Sequence, residues 1–143
     1  MTSTFDGRRA YLQVPEDKDI FVKPAADWAT QPDYKPGHLW KAKTKWYGER
    51  DASQKWQEFL AAALESCGGV RSKRDPTKFV WTDRELYVDT HVDDGHMTGP
   101  ARQQRWLHQA VKDAGIDLKD LVLREVGDEY TYLRARRRRA PEG

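Results

Sequence analysis

Phe79-Val80-Trp81-Thr82-Asp83-Arg84-Glu85-Leu86-Tyr87-Val88-Asp89-Thr90-His91-Val92-Asp93-Asp94-Gly95 is the stretch whose reading decides the fold. Phe79 to Trp81 and Leu86 to Val88 are aromatic and β-branched runs that suit a pleated, half-buried surface. The polar residues Thr82 to Glu85 between them predict a hairpin. A second turn is expected at Asp93-Asp94-Gly95, since Asp and Gly supply the backbone conformations that turns require.

Helical patterns flank this stretch on both sides. Before it, Trp56, Phe59, Leu60, Ala63 and Leu64 fall at i, i+3, i+4, i+7 and i+8, one face of a helix from about Ser53 to Ser66. Asp51 or Ser53 can cap its start, and Gly68-Gly69 supplies a left-handed stop. After it, Pro100 suits a helix's first turn. Trp106, Leu107, Ala110, Val111 and Ala114 then form a second amphipathic face, closed by Gly115. Leu121-Val122-Leu123 and Tyr130 to Leu133 read as short strands around Gly127-Asp128. Towards the N-terminus, Arg8 to Gln13 reads as a short strand or helix start leaving Asp6. Ile20-Phe21-Val22 is a short apolar run ended by Pro24, and residues 25–37 read as a loop. Leu39 to Lys45 alternates weakly. Strands interleaved with two helices imply an α+β sheet with the helices packed on one face.

A length of 143 residues bounds the chain to one domain with a modest core. Six Trp, six Tyr and four Phe supply the apolar area for it. The lone Cys67 excludes an internal disulfide and a multi-Cys zinc site, so a reducing, intracellular setting is the default expectation. No apolar run approaches the ~20 residues of a membrane span, and the polar N-terminus does not read as a secretory signal. The formal net charge of +2 conceals an asymmetry. Five arginines, Arg134 and Arg136 to Arg139, lie beyond residue 133, where the only acid is Glu142. Residues 1–133 therefore hold 20 of the 25 basic and 22 of the 23 acidic residues, a net of −2. The arginine tail, residues 134–143, is expected either as a disordered, solvated terminus or as a binder of nucleic-acid phosphates.

Asp93 and Asp94 side by side are ordinary turn chemistry in one reading. In the other they are part of a magnesium site, which needs a third carboxylate from elsewhere in the fold. Asp6 is one of many candidates for that third ligand. His91, Asp93, Asp94 and His96 form a further alternative, a local zinc or transition-metal site. His38 and His108 read as surface residues, and Cys67 as a small packing residue.

Six segments in order add a resemblance. Asp6 to Leu12 resembles the Asp-Val-Lys-Thr-Ala-Phe-Leu segment of copia-type retrotransposon reverse transcriptases. Pro15 to Pro24 resembles the acidic stretch and Ile-Tyr-Met strand that follow there, and His38 to Gly48 the Val-Cys-Lys-Leu to Leu-Tyr-Gly segment. The run on to Trp56 keeps the family's spacing. Arg71-Ser72-Lys73-Arg74-Asp75-Pro76 is similar to Arg-Ser-Lys-Tyr-Asp-Pro, and Thr90 to Asp94 stands at the Tyr-Val-Asp-Asp box. Together these cover about residues 5–99, with weaker similarity onward to Leu133.

The resemblance implies a palm-like domain over residues 1–133 and RNA-directed DNA synthesis. Asp6, Asp93 and Asp94 would hold two Mg²⁺ ions (or Mn²⁺), one acting on the primer's 3′-hydroxyl and one on the leaving pyrophosphate. Tyr11 would pack under the incoming deoxynucleotide's sugar, and Asp51 would stand near the nucleotide in place of a Gln. RNA template, DNA primer and deoxynucleotides would be the partners. Ser53, His91, Asp89, Gly95 and His96 depart from the family's pattern, and Gly95 is expected to weaken its strand. Fingers, thumb, RNase H and integrase segments are not recognised in the chain. The resemblance therefore implies a truncated palm, a fragment or decayed copy or a piece of a longer polyprotein, impaired when isolated. A non-catalytic remnant that binds nucleic acid through its basic tail is the alternative.

Overall fold

The computed structural model describes residues 1–141. Strand β1 (Thr2–Asp6) is followed by a 3-10 turn, Ala10–Gln13, and by β2 (Phe21–Val22) and β3 (Trp40–Lys41). Helix α1 (Ala52–Ser66) leads into β4 (Val70–Arg71), β5 (Lys78–Trp81), β6 (Leu86–His91) and β7 (Asp94–Thr98). Helix α2 (Ala101–Asp113) precedes β8 (Val122–Arg124), β9 (Glu129–Tyr132) and β10 (Ala135–Arg138). Six strands form one antiparallel sheet in the order β4-β5-β6-β7-β1-β8. Two small ribbons, β2–β3 and β9–β10, are not strand-paired with it.

Strand alternation sorts the sheet into two faces. Ser3, Phe5, Phe79, Trp81, Leu86, Val88 and Met97 are buried on one of them. Trp56, Leu60 and Leu64 of α1 and Leu107 and Val111 of α2 join the same core cluster, so both helices cover that face. The α+β class and the arrangement of the helices follow the reading of the sequence. The opposite face carries Thr4, Asp6, Asp89, Asp94 and His96, and the ribbon β9–β10 lies across it through Tyr130 and Tyr132.

Several local expectations shift. Asp6 does not open a segment; it ends β1, whose Ser3 and Phe5 point inward. Only two residues, Val92 and Asp93, turn between β6 and β7, so Asp94 and Gly95 belong to β7. Val92 has a φ of 52°, a left-handed conformation that is strained for a β-branched residue. Its carbonyl accepts a hydrogen bond from the Trp56 indole at 2.6 Å, which holds the turn in place. Residues 134–143 are not a plain unstructured tail. Ala135–Arg138 pair with β9 across a two-residue loop, Leu133-Arg134, with positive φ at both positions, as tight hairpins require. The last two residues of that span lie outside the described residues. Among the described residues, no helix is long and apolar enough to cross a membrane.

Gly95 does not weaken its strand without return. It stands opposite Phe5, and a Cβ built on it would lie 2.0 Å from the Phe5 ring. The aromatic ring covers the glycine across the ladder, a device that restores packing where no side chain exists. Gly95→Ala should therefore lower stability by about 1–3 kcal/mol through overpacking, read as a fall in the denaturant midpoint. Adding Phe5→Leu should recover part of that loss. Strictly additive effects would show that the ring and the glycine are not coupled.

Candidate functional site

Asp6 and Asp94 are register partners on β1 and β7. The Gly7 N–H donates to the Asp93 carbonyl at 2.7 Å, a flanking bond that makes Asp6 and Asp94 a non-hydrogen-bonded pair. In such pairs the Cα atoms stand about 4.5 Å apart and the side chains approach closely. Like charges directly opposite on a ladder are destabilising. The Asp94 carboxyl accordingly lies above its usual value, raised first by burial and then by Asp93 and Asp6. Asp93 is exposed at the turn. The three acids that the sequence pointed to thus lie at one end of the sheet.

What holds that end together is local and specific. Gly7 follows Asp6 without a side chain, and a Cβ there would meet Trp56 Cζ2 at 2.8 Å. Trp56 itself is fully buried. One indole thus underlies the exit of β1 and, through its hydrogen bond to Val92, the turn that carries Asp93.

Asp6, His91 and Asp94 line a cleft of about 860 Å³ together with Lys119, Asp120 and residues 131–134 of the β9–β10 ribbon. Reading the sequence missed the last two groups. Lys119 Nζ lies 2.7 Å from Asp6 Oδ2, and the Lys119 N–H donates to the Asp6 carbonyl at 2.8 Å. An isolated bridge, Gly7 to Leu118, ties the two segments. No local pattern marks this contact, because 113 residues separate the partners. Only its place after the amphipathic helix α2 could have drawn attention to it.

His96 lies farther along the same face. Its Nε2 is 2.8 Å from the Tyr130 hydroxyl, and its ring stacks on Tyr130 and leans on Tyr132. Burial first, and Arg137 second, lower its affinity for a proton. The Tyr132 hydroxyl donates to the Asp89 carbonyl at 3.3 Å and is pushed up to about 12, by burial and then by Asp89 and Asp94. Asp89 and His96 therefore sit where the ribbon packs. His91, Asp93, Asp94 and His96 do not assemble the transition-metal site left open above. Among the described residues, no three His, Cys, Asp or Glu side chains gather closely enough to hold an ion.

Tyr11 and Asp51 do not line the cleft. Tyr11 packs its ring 4.9 Å from Tyr47. Asp51 is the N-cap of α1 but makes no side-chain cap. Its carboxylate instead meets Lys18 at 2.6 Å and the buried Lys45 at 3.5 Å. Lys18 foremost holds Asp51 below the usual carboxylate range. Lys45 also takes Glu16 and Asp17 at 2.7 Å each and Glu49 at 3.5 Å. The charge that Asp51 introduces is therefore spent within this cluster and does not face the cleft.

His38 is exposed as expected. His108 is half-buried, its Nε2–H donating to the Lys119 carbonyl at 2.8 Å. Cys67 packs against the core. No protein-family model matches this chain, and neither does any curated protein sequence.

The raised Asp94 carboxyl gives a pH dependence with a defined sign. A carboxyl whose folded value lies above its unfolded one costs stability while ionised, and the cost disappears as pH falls through both values. Asp94→Asn should raise the denaturant midpoint at pH 7. The gain should vanish near pH 3, below the unfolded carboxylate value of about 3.9. A loss of stability at pH 7 would show that Asp94 has a partner in the fold.

Proposed function

We propose that this chain carries the carboxylate core of an RNA-directed DNA polymerase palm, of the copia-type reverse-transcriptase kind. The observation that carries the proposal is the register of Asp6 against Asp94 beside the Asp93 turn, at the head of a cleft. The resemblance of the segments around Asp6 and around Thr90 to Asp94 supports the same reading.

The donor chemistry fits a hard divalent cation. Two carboxylates face each other at short range, with a third on the adjacent turn, and their mutual repulsion is what a cation relieves. Asp6 and Asp94 would hold Mg²⁺ or Mn²⁺ together with phosphate oxygens of the ligand, and Asp93 would join them by swinging in from the turn, since the three carboxylates are not gathered in the structure. When bound, the ions would lower the pKa of a primer 3′-hydroxyl and neutralise the departing pyrophosphate. The chain's own residues supply the rest. Asp6 and Asp94 fix the position of the charge, and Trp56 and Gly7 hold the two strand ends in register. The ribbon β9–β10 walls the cleft and presents exposed Arg134, Arg136, Arg137 and Arg138. In phosphoryl transfer such positioning and charge neutralisation dominate. RNA template, DNA primer and deoxynucleotides are the proposed ligands. Tyr11 keeps its proposed place under the nucleotide's sugar only if the Tyr11–Tyr47 contact rearranges.

One observation favours a second reading. The arginine-rich β10 is an ordered, exposed strand, suited to phosphate contacts without chemistry. Primer extension on an RNA template with Mg²⁺ or Mn²⁺ separates the two, with Asp93→Asn/Asp94→Asn as the blank. Even slow extension above the blank supports the polymerase core. Binding of the hybrid that falls steeply with salt and is lost on replacing Arg134, Arg136 and Arg138 by Ala, without extension or any gain from Mn²⁺, supports the binding remnant.

A further inference from the structure

We infer that Lys119 is a tethered counter-ion that competes with a divalent cation for Asp6. The inference rests on the cation reading of the Asp6–Asp94 pair and adds a regulator to that site. Lys119 is not a passing surface lysine, because its backbone is fixed on both sides. Its N–H is bonded to the Asp6 carbonyl, and its own carbonyl accepts from His108 of α2 at 2.8 Å. The bridge between Gly7 and Leu118 adds a third tie. Its ammonium is delivered to Asp6 Oδ2 at 2.7 Å, on the wall of the same cleft that Asp94 lines.

Electrostatics gives the ammonium its role. Asp6 faces Asp94 across the ladder and lies near Asp93, so one positive charge among three carboxylates offsets part of their repulsion. A divalent cation would offset more, but it would share the carboxylate whose Oδ2 Lys119 already holds, and the ammonium and the cation repel each other there. The Lys119 side chain is 58% exposed and Asp6 33% exposed, so the pair is screened and the ammonium can leave. A phosphate-bearing ligand in the cleft offers it an alternative partner. Metal entry at Asp6 and phosphate binding at Lys119 would then favour each other, with the lysine passing from carboxylate to phosphate.

Mn²⁺ titration of the full chain, read by the loss of the free-ion electron-paramagnetic signal, tests this without requiring any catalysis. Lys119→Met and Lys119→Gln should each bind Mn²⁺ about fivefold more tightly than the unmodified chain, the scale of one exposed ion pair. Adding Asp94→Asn to either variant should remove the gain. Circular dichroism and thermal unfolding of each variant establish that it is folded. A merely structural lysine would lower or leave unchanged the affinity when removed. Equal or weaker binding by both folded variants overturns the counter-ion while leaving the cation reading intact. Binding by neither the unmodified chain nor the variants overturns the cation reading, and the inference with it. Should Lys119→Met fail to fold, Lys119→Gln decides the question. If neither folds, Lys119 is a structural tie and the inference is overturned.

Discussion

The whole carboxylate end of this protein depends on one indole. Trp56 comes from the buried face of α1, lies under Gly7 where β1 ends, and donates to the carbonyl of Val92 in the β6–β7 turn. It thereby joins three segments that are distant in sequence. The turn is itself strained, since Val92 takes a left-handed conformation that β-branched residues avoid. Strain of this kind persists only where the surroundings over-determine it, and the indole hydrogen bond and the Gly7–Asp93 backbone bond provide that. The result is that two acids that repel each other are held at the closest spacing a ladder allows.

Electrostatic cost is handled differently in the two charged regions. Around Lys45, four carboxylates converge on one buried ammonium, helped by Lys18 and Lys55. There the balance is nearly complete, and Asp17 and Asp51 are held below the ordinary carboxylate range by their lysine partners. At the sheet end Lys119 pairs with Asp6, and Asp94 stays raised although His91 and then Lys119 act against the shift. Glu16 keeps one buried oxygen, Oε2, without a hydrogen-bond partner in the Lys45 cluster, whereas at the sheet end the repulsion falls on Asp94 in the cleft.

Much of the architecture could be read from residue pattern. The period of Trp56 to Leu64 located α1, and the runs on either side of Thr82 to Glu85 located β5 and β6, because these signals are local. The first strand was missed because Thr2 to Asp6 holds only one large apolar residue, Phe5, and its inward partner Ser3 is polar. The second turn was placed one or two residues late. Asp-Asp-Gly is the stronger turn sequence, yet Gly95 is required in the strand by Phe5. The strand in the arginine tail escaped notice because repulsion among like charges argues against pairing. Tyr132 under Arg137 and Glu129 beside Arg136 supply the compensation. Of the candidate site, the acids were legible as short motifs, whereas Lys119 was not. Its contact depends on tertiary packing alone.

The central claim is that Asp6 and Asp94 together form a seat for a divalent cation. Its most direct measurement is anomalous diffraction from crystals soaked in Mn²⁺, at concentrations high enough to displace Lys119. The account predicts a peak between the Asp6 and Asp94 carboxylates, with Lys119 Nζ drawn away from Asp6. A peak only at the Lys45 cluster, or an undisturbed Lys119–Asp6 pair with no peak beside it, would contradict it.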